Sequence, residues 1–187
     1  MKKAFYCLII ALMMISCGNK QLPKVTIKTQ FGVITAEIYT DKAPVTAGNF
    51  LKLVNEGAYN TGDAKFYRTV RPDNQSNTVK IEVIQGGLND RDVFPAIIHE
   101  TTRLTGIKHL DGTLSMARSE PGTASSEFFI CIGEQPELDF DGNRNPDKQG
   151  FAAFGRVIDG MDAVRMIQQQ QDTTQYLVNP VPFTISR

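Results

Sequence analysis

Charge of one sign is what this chain most plainly lacks. Its 187 residues hold 20 Lys and Arg against 20 Asp and Glu, which leaves no broad electrostatic footprint for nucleic acid. Histidine is scarce: His99 and His109 are the two, both in loop-like sequence. No second His stands four residues beyond His99-Glu100, so the zinc-protease motif is absent. Solvated or locally bonded roles are what remain for both. Cysteine is scarce too, at positions 7, 17 and 131. Cys131 stands alone inside Phe128-Phe129-Ile130-Cys131-Ile132, where an isolated Cys is usually a small buried hydrophobe. Internal repeats and low-complexity tracts are missing. The one notable apolar run, residues 4–15, is too short to cross a bilayer comfortably.

That run belongs to a leader. Lys2 and Lys3 form a positive n-region before it, as in a signal peptide. It ends in Met14-Ile15-Ser16-Cys17, which resembles a bacterial lipobox. The resemblance implies cleavage before Cys17 and lipid attachment to its sulfur and new amino group. Each buried CH₂ of such a lipid is worth roughly 0.8 kcal/mol. Residues 1–16 then read as a lipoprotein signal peptide, 17–23 as the lipidated cysteine and a polar tether, and 24–187 as one domain. No acidic residue follows Cys17 directly, so an outer-membrane site in a bacterial envelope is expected. Without Lys2 and Lys3 there are 18 basic against 20 acidic residues, a net charge of −2. The remaining length, about 165 residues, suits a single domain with a sizeable core.

Val25 and Ile27, then Ile34, Ala36 and Ile38, alternate across a turn at Gln30-Phe31-Gly32, which predicts a hairpin. Pro44 opens a helix whose face is Ala47, Phe50, Leu51 and Val54, and Gly57 is its stop. Strands are expected at 65–70, 80–85, 112–117, 127–132 and 151–157. A second helix is expected from Asp159 as N-cap, with Ala163, Val164 and Ile167 on its apolar face. Residues 168–174 read as a fraying polar tail, and 181–186 as a last strand beside the first. Eight strands and two helices predict a mainly β, closed antiparallel barrel capped by helices. A barrel of that size is filled by side chains, which puts a binding site on its outer wall.

Five segments occur in order: Phe66-Tyr67-Arg68, Val83-Ile84-Gln85-Gly86-Gly87, Leu114-Ser115-Met116-Ala117, Ser125-Ser126-Glu127-Phe128-Phe129-Ile130 and Phe154-Gly155-Arg156-Val157. Together they resemble the cyclophilin family of peptidyl-prolyl cis-trans isomerases, over residues 24–187. The resemblance implies a monomer that takes proline-containing polypeptide segments and needs no cofactor and no metal. It makes Arg68 the catalytic arginine and Gln85 the residue that orients it. It makes Phe129 the floor of a proline pocket, with Val83 and Leu138 as walls and Ala117 along the bound peptide. Strand alternation agrees, since Phe128, Ile130 and Ile132 share one face while Phe129 and Cys131 share the other.

Several positions depart from the family pattern. A polar stretch, Arg71-Pro72-Asp73-Asn74-Gln75-Ser76-Asn77, lengthens the link between Arg68 and Gln85. Glu82 and Glu137 replace pocket aromatics, leaving Ile81 or Val83 to serve instead, and the absence of Trp implies poor sensitivity to cyclosporin-type ligands. Phe151 replaces a His or Tyr. Glu127 replaces a Gln and is placed to pair with Arg68. The expected activity is isomerisation of X–Pro amides in envelope or secreted proteins. The alternative is a weakly catalytic module that binds Pro-containing segments or an envelope partner.

Overall fold

A computed structural model describes residues 21–88 and 93–187. The signal peptide and the lipidation expected at Cys17 lie outside the described residues, as does most of the tether.

The described residues begin with the expected hairpin, β1 (Lys24–Thr29) and β2 (Gly32–Ile38), in register from Lys24↔Glu37 to Thr29↔Gly32. Helix α1 (Pro44–Asn55) follows, with Pro at its first position and a left-handed Gly57 just beyond its end. Proline fits there because its missing N–H has no intrahelical partner to lose. The cap comes from far along the chain. Glu100 accepts from the backbone N–H of Val45 and Thr46 and from the Thr46 hydroxyl, at 3.2, 2.7 and 2.7 Å. A carboxylate at a helix N-terminus satisfies orphan donors and complements the dipole.

Next come β3 (Lys65–Val70), β4 (Val83–Gly87), a one-turn α2 (Thr102–Thr105), β5 (Thr113–Met116) and β6 (Phe128–Cys131). They are followed by β7 (Ala152–Asp159), α3 (Met161–Gln168), β8 (Asp172–Thr173) and β9 (Tyr176–Ser186). The strand order is β1-β2-β7-β5-β6-β4-β3-β9, and β9 pairs back onto β1 to close an eight-stranded antiparallel barrel. The short β8 is appended to β9 as a hairpin.

Two expectations need correction. Asp159 does not cap α3: it ends β7, and the cap is Gly160 at φ +90°. The backbone of β2 passes so close that a Cβ on Gly160 would lie 2.2 Å from the Val33 carbonyl oxygen, which leaves no room for Asp. Residues 168–174 do not fray either. Gln168 is buried, and the segment turns into the β8–β9 hairpin, so the last strand starts at Tyr176 rather than Val181.

The barrel interior is aromatic. Phe50 from α1, with Tyr59, Phe66, Phe128, Phe154 and Phe183, forms one cluster with ring centroids 4.7–6.2 Å apart. Cutting one such buried ring to Ala costs about 3–5 kcal/mol. Phe128 and Ile130 enter this core, while Phe129 and Cys131 join a second cluster on the outer wall with Val70, Ile81, Val83 and Leu138.

Candidate active site

The outer cluster floors a cleft of about 200 Å³. Val83, Phe129, Leu138, Ala117 and Phe151 line it, together with Arg68 and Gln85. The sequence-predicted residues therefore meet in one place, Glu127 excepted. Ile81, Arg118, Arg144 and Asn145 complete the lining.

A β-bulge puts Arg68 there. In the β3–β4 pairing Phe66 opposes Gly86 and Arg68 opposes Gln85, so Tyr67 is the extra residue. Strict alternation would send Arg68 to the face of Phe66, inside the barrel. The added residue turns it outward, a common use of bulges beside functional sites. Gly86 makes the crossing feasible, since a Cβ there would lie 2.5 Å from the Lys65 carbonyl oxygen.

The Arg68 guanidinium is held by neutral groups. Nη1 donates to Gln85 Oε1 at 2.8 Å, while Nε and Nη2 donate to Gln175 Oε1 at 3.0 and 2.5 Å. Gln85 Nε2 donates to the Tyr67 hydroxyl at 2.9 Å, and Tyr67 donates to Glu127 Oε2 at 2.6 Å. Burial lowers the Arg68 pKa, opposed by Tyr176 and Tyr67. An arginine starts so high that it stays charged. Of its five N–H groups, three are used in these bonds, leaving one on each terminal nitrogen.

Phe129 stands edge-on to Phe151, centroids 5.3 Å apart, and lies parallel to the His109 ring at 6.0 Å. His109 is buried, not solvated. Its Nδ1 bonds Asp139 Oδ1 at 2.8 Å and its Nε2 bonds Ser115 Oγ at 2.9 Å. Burial lowers the His109 pKa against the pull of Asp139, so a neutral ring supports the pocket floor. Cys131 is a buried free thiol, its pKa pushed up well above the usual value by burial.

A family model described as "Cyclophilin type peptidyl-prolyl cis-trans isomerase/CLD" matches residues 24–185. The chain belongs to the cyclophilin-type peptidyl-prolyl cis-trans isomerases. A peptidyl-prolyl cis-trans isomerase of Acinetobacter baylyi is 33% identical over 162 residues, covering 84% of this chain and 78% of its own. Peptidyl-prolyl cis-trans isomerase B of Escherichia coli is 32% identical over 145 residues, covering 77% and 83%. A Cryptosporidium parvum cyclophilin-type isomerase shares the fold at a TM-score of 0.70 and 22% identity, over 88% of this chain and 96% of its own.

The β3–β4 link, residues 71–82, shapes one side of the cleft. Gln75 is buried and donates to the carbonyls of Arg71 and Ile81 at 2.7 and 2.8 Å. That seats Ile81 in the wall. Glu82 turns away and accepts from Gln168 Nε2 at 3.1 Å. Glu137 also faces away, accepting from the backbone and side chain of Asn143. Glu127 does not pair with Arg68: it is buried and is linked to it through Tyr67 and Gln85.

Gln175 and Arg144 escaped the sequence reading. Gln175 follows a stretch read as fraying. It sits with Thr174 in the two-residue β8–β9 turn, at φ +79° and +52°. Turns of this hand favour Asn-Gly, and Thr-Gln carries no such signal.

Proposed function

We propose that this cyclophilin catalyses rotation about X–Pro amides in polypeptides of the bacterial envelope, with Arg68 as its catalytic residue. The observation that carries the reading is a charged guanidinium fixed by two neutral amides beside a phenylalanine-floored cleft. The amide resists rotation by about 18–20 kcal/mol because nitrogen shares its lone pair with the carbonyl. A twisted amide has that lone pair free. The two unassigned N–H groups of Arg68 stabilise the twisted form more than the planar one, which is what lowers a barrier. Phe129, Val83 and Leu138 hold the proline ring. Ala117 runs beside the peptide, and Phe151 closes the floor. No bond breaks, so the reaction draws on no nucleophile, metal or cofactor.

The same proposal places the domain on a membrane through a lipid on Cys17, most simply the outer membrane. Membrane fractionation tests that placement, and recovery of the protein as a soluble periplasmic species would overturn it. The catalytic reading is tested by NMR exchange on an X–Pro peptide, comparing the domain with Arg68→Ala. Faster exchange that disappears in the variant supports it. Peptide shifts at Phe129 without faster exchange would assign the cleft to binding alone.

A further inference from the structure

The cleft carries more positive charge than rotation of a neutral amide requires. Three guanidiniums line it, from Arg68, Arg118 and Arg144, and among the described residues no carboxylate does. Their situations differ. Arg118 is neutralised: its terminal nitrogens hold both oxygens of Asp147 at 2.8 and 2.9 Å, and it donates to the Gly150 carbonyl. Arg68 is engaged by Gln85 and Gln175.

Arg144 makes no ion pair among the described residues. Its Nη1 donates to Gln75 Oε1 at 3.0 Å and to the Val79 carbonyl at 2.6 Å. Both acceptors are neutral, and both belong to the β3–β4 link. Nε and Nη2 have no bonded partner among the described residues. These two nitrogens form the edge of the guanidinium fork that matches a carboxylate with two parallel bonds. Half burial lowers the Arg144 pKa, and the charge of Arg68 lowers it further, so the two cations sense one another across the cleft. Glu137 makes no ion pair with Arg144, and its carboxylate accepts from Asn143.

We propose that Arg144 is a specificity-determining residue that selects proline segments carrying an acidic side chain next to the proline. The inference rests on the isomerase reading for the peptide's place in the cleft. Phe129, Val83 and Leu138 take the ring, and the neighbouring carboxylate meets the Nε–Nη2 edge of Arg144. Such a carboxylate offsets the paired positive charge of Arg68 and Arg144, which a neutral neighbour leaves in place. A lysine there adds a third cation.

The test uses peptides capped at both ends, with Glu, Gln or Lys before or after a single proline. Catalysed exchange and peptide affinity are both measured by NMR. At one of the two positions the Glu peptide should exceed its Gln counterpart by about five- to tenfold, the scale of a part-buried charge-assisted contact, with Lys lowest. That ratio should fall towards one in Arg144→Gln, persist in part in Arg144→Lys, and shrink as salt rises. Comparing two peptides on the same protein removes any general loss of activity from the result. Equal handling of Glu and Gln at both positions would overturn the proposal, as would a ratio that survives Arg144→Gln. If no peptide is isomerised, the isomerase reading fails separately, and the affinity ratio still decides the role of Arg144.

Discussion

Gln175→Glu tests why Arg68 is held by amides. The substitution keeps the side chain's length and its two acceptor contacts at 3.0 and 2.5 Å, but places a negative charge on the guanidinium. Unit charges about 4 Å apart at an effective dielectric of about 20 attract by about 4 kcal/mol. Both side chains are only part-buried, the carboxylate gives up hydration, and the amide bonds it replaces were already favourable. The net gain should be nearer 1 kcal/mol, raising Tm by about 2–4 °C for a domain of this size. Turnover should move the other way. A guanidinium with a carboxylate on one edge presents less field to the amide nitrogen on the other. A loss of only about 1.4 kcal/mol of transition-state stabilisation is tenfold in rate. The expected variant is therefore more stable and at least about tenfold slower by NMR exchange. A Gln175→Glu protein as fast as the parent, with Tm raised, would refute the idea that Arg68 needs its full charge.

Two further outcomes follow from backbone conformation and from burial. Thr174 is exposed, β-branched and left-handed at φ +52°, so Thr174→Gly should relieve about 1 kcal/mol; a lower urea midpoint would contradict it. Stability should also fall on acidification. Burial holds the folded His109 pKa below its usual 6.5, so as pH drops below about 6.5 the unfolded chain gains a proton that the folded one refuses. Burial raises the Asp139 pKa, but bonds from His109 and Lys108 outweigh that and leave it below 3.8. Its contribution is present above 3.8 and lost as pH falls further. His109→Gln should flatten the urea midpoint between pH 7 and 5, leaving the share due to His99, whose burial also lowers its pKa. An unchanged slope would show that His109 is not the group responsible.

The elements that could be read from sequence were those whose signal is local. Period-two alternation separated Phe128 from Phe129, because each strand residue's face follows from its neighbour's. The stripe on α1 was equally direct, with Pro44 and Gly57 marking its ends. What could not be read depends on contacts between distant segments. Glu100 caps α1 from 54 residues away. Gly160 replaces the expected Asp159 cap because β2 crowds it. The bulge at Tyr67 leaves no mark in composition, though it alone decides whether Arg68 faces the core or the cleft. Gln175 reaches Arg68 across 107 residues of chain from a turn lacking the usual Asn-Gly. Arg144 matters because the β3–β4 link folds back towards it, and nothing in either segment announces the other.

Cys131 lends itself to a different use. From residue 18 onward it is the sole cysteine. It is wholly buried and pairs with Val83 across the seam between β6 and β4. Those strands also carry Phe129 and Gln85. A thiol reagent reaches its sulfur only when the packing that buries it parts. Under native conditions, with closing faster than labelling, the alkylation rate relative to an exposed thiol gives the free energy of that parting. The wall behind the cleft thus contains an intrinsic reporter of its own opening, readable by mass spectrometry without an added label. A peptide that binds only the closed wall should slow the labelling in proportion to its occupancy.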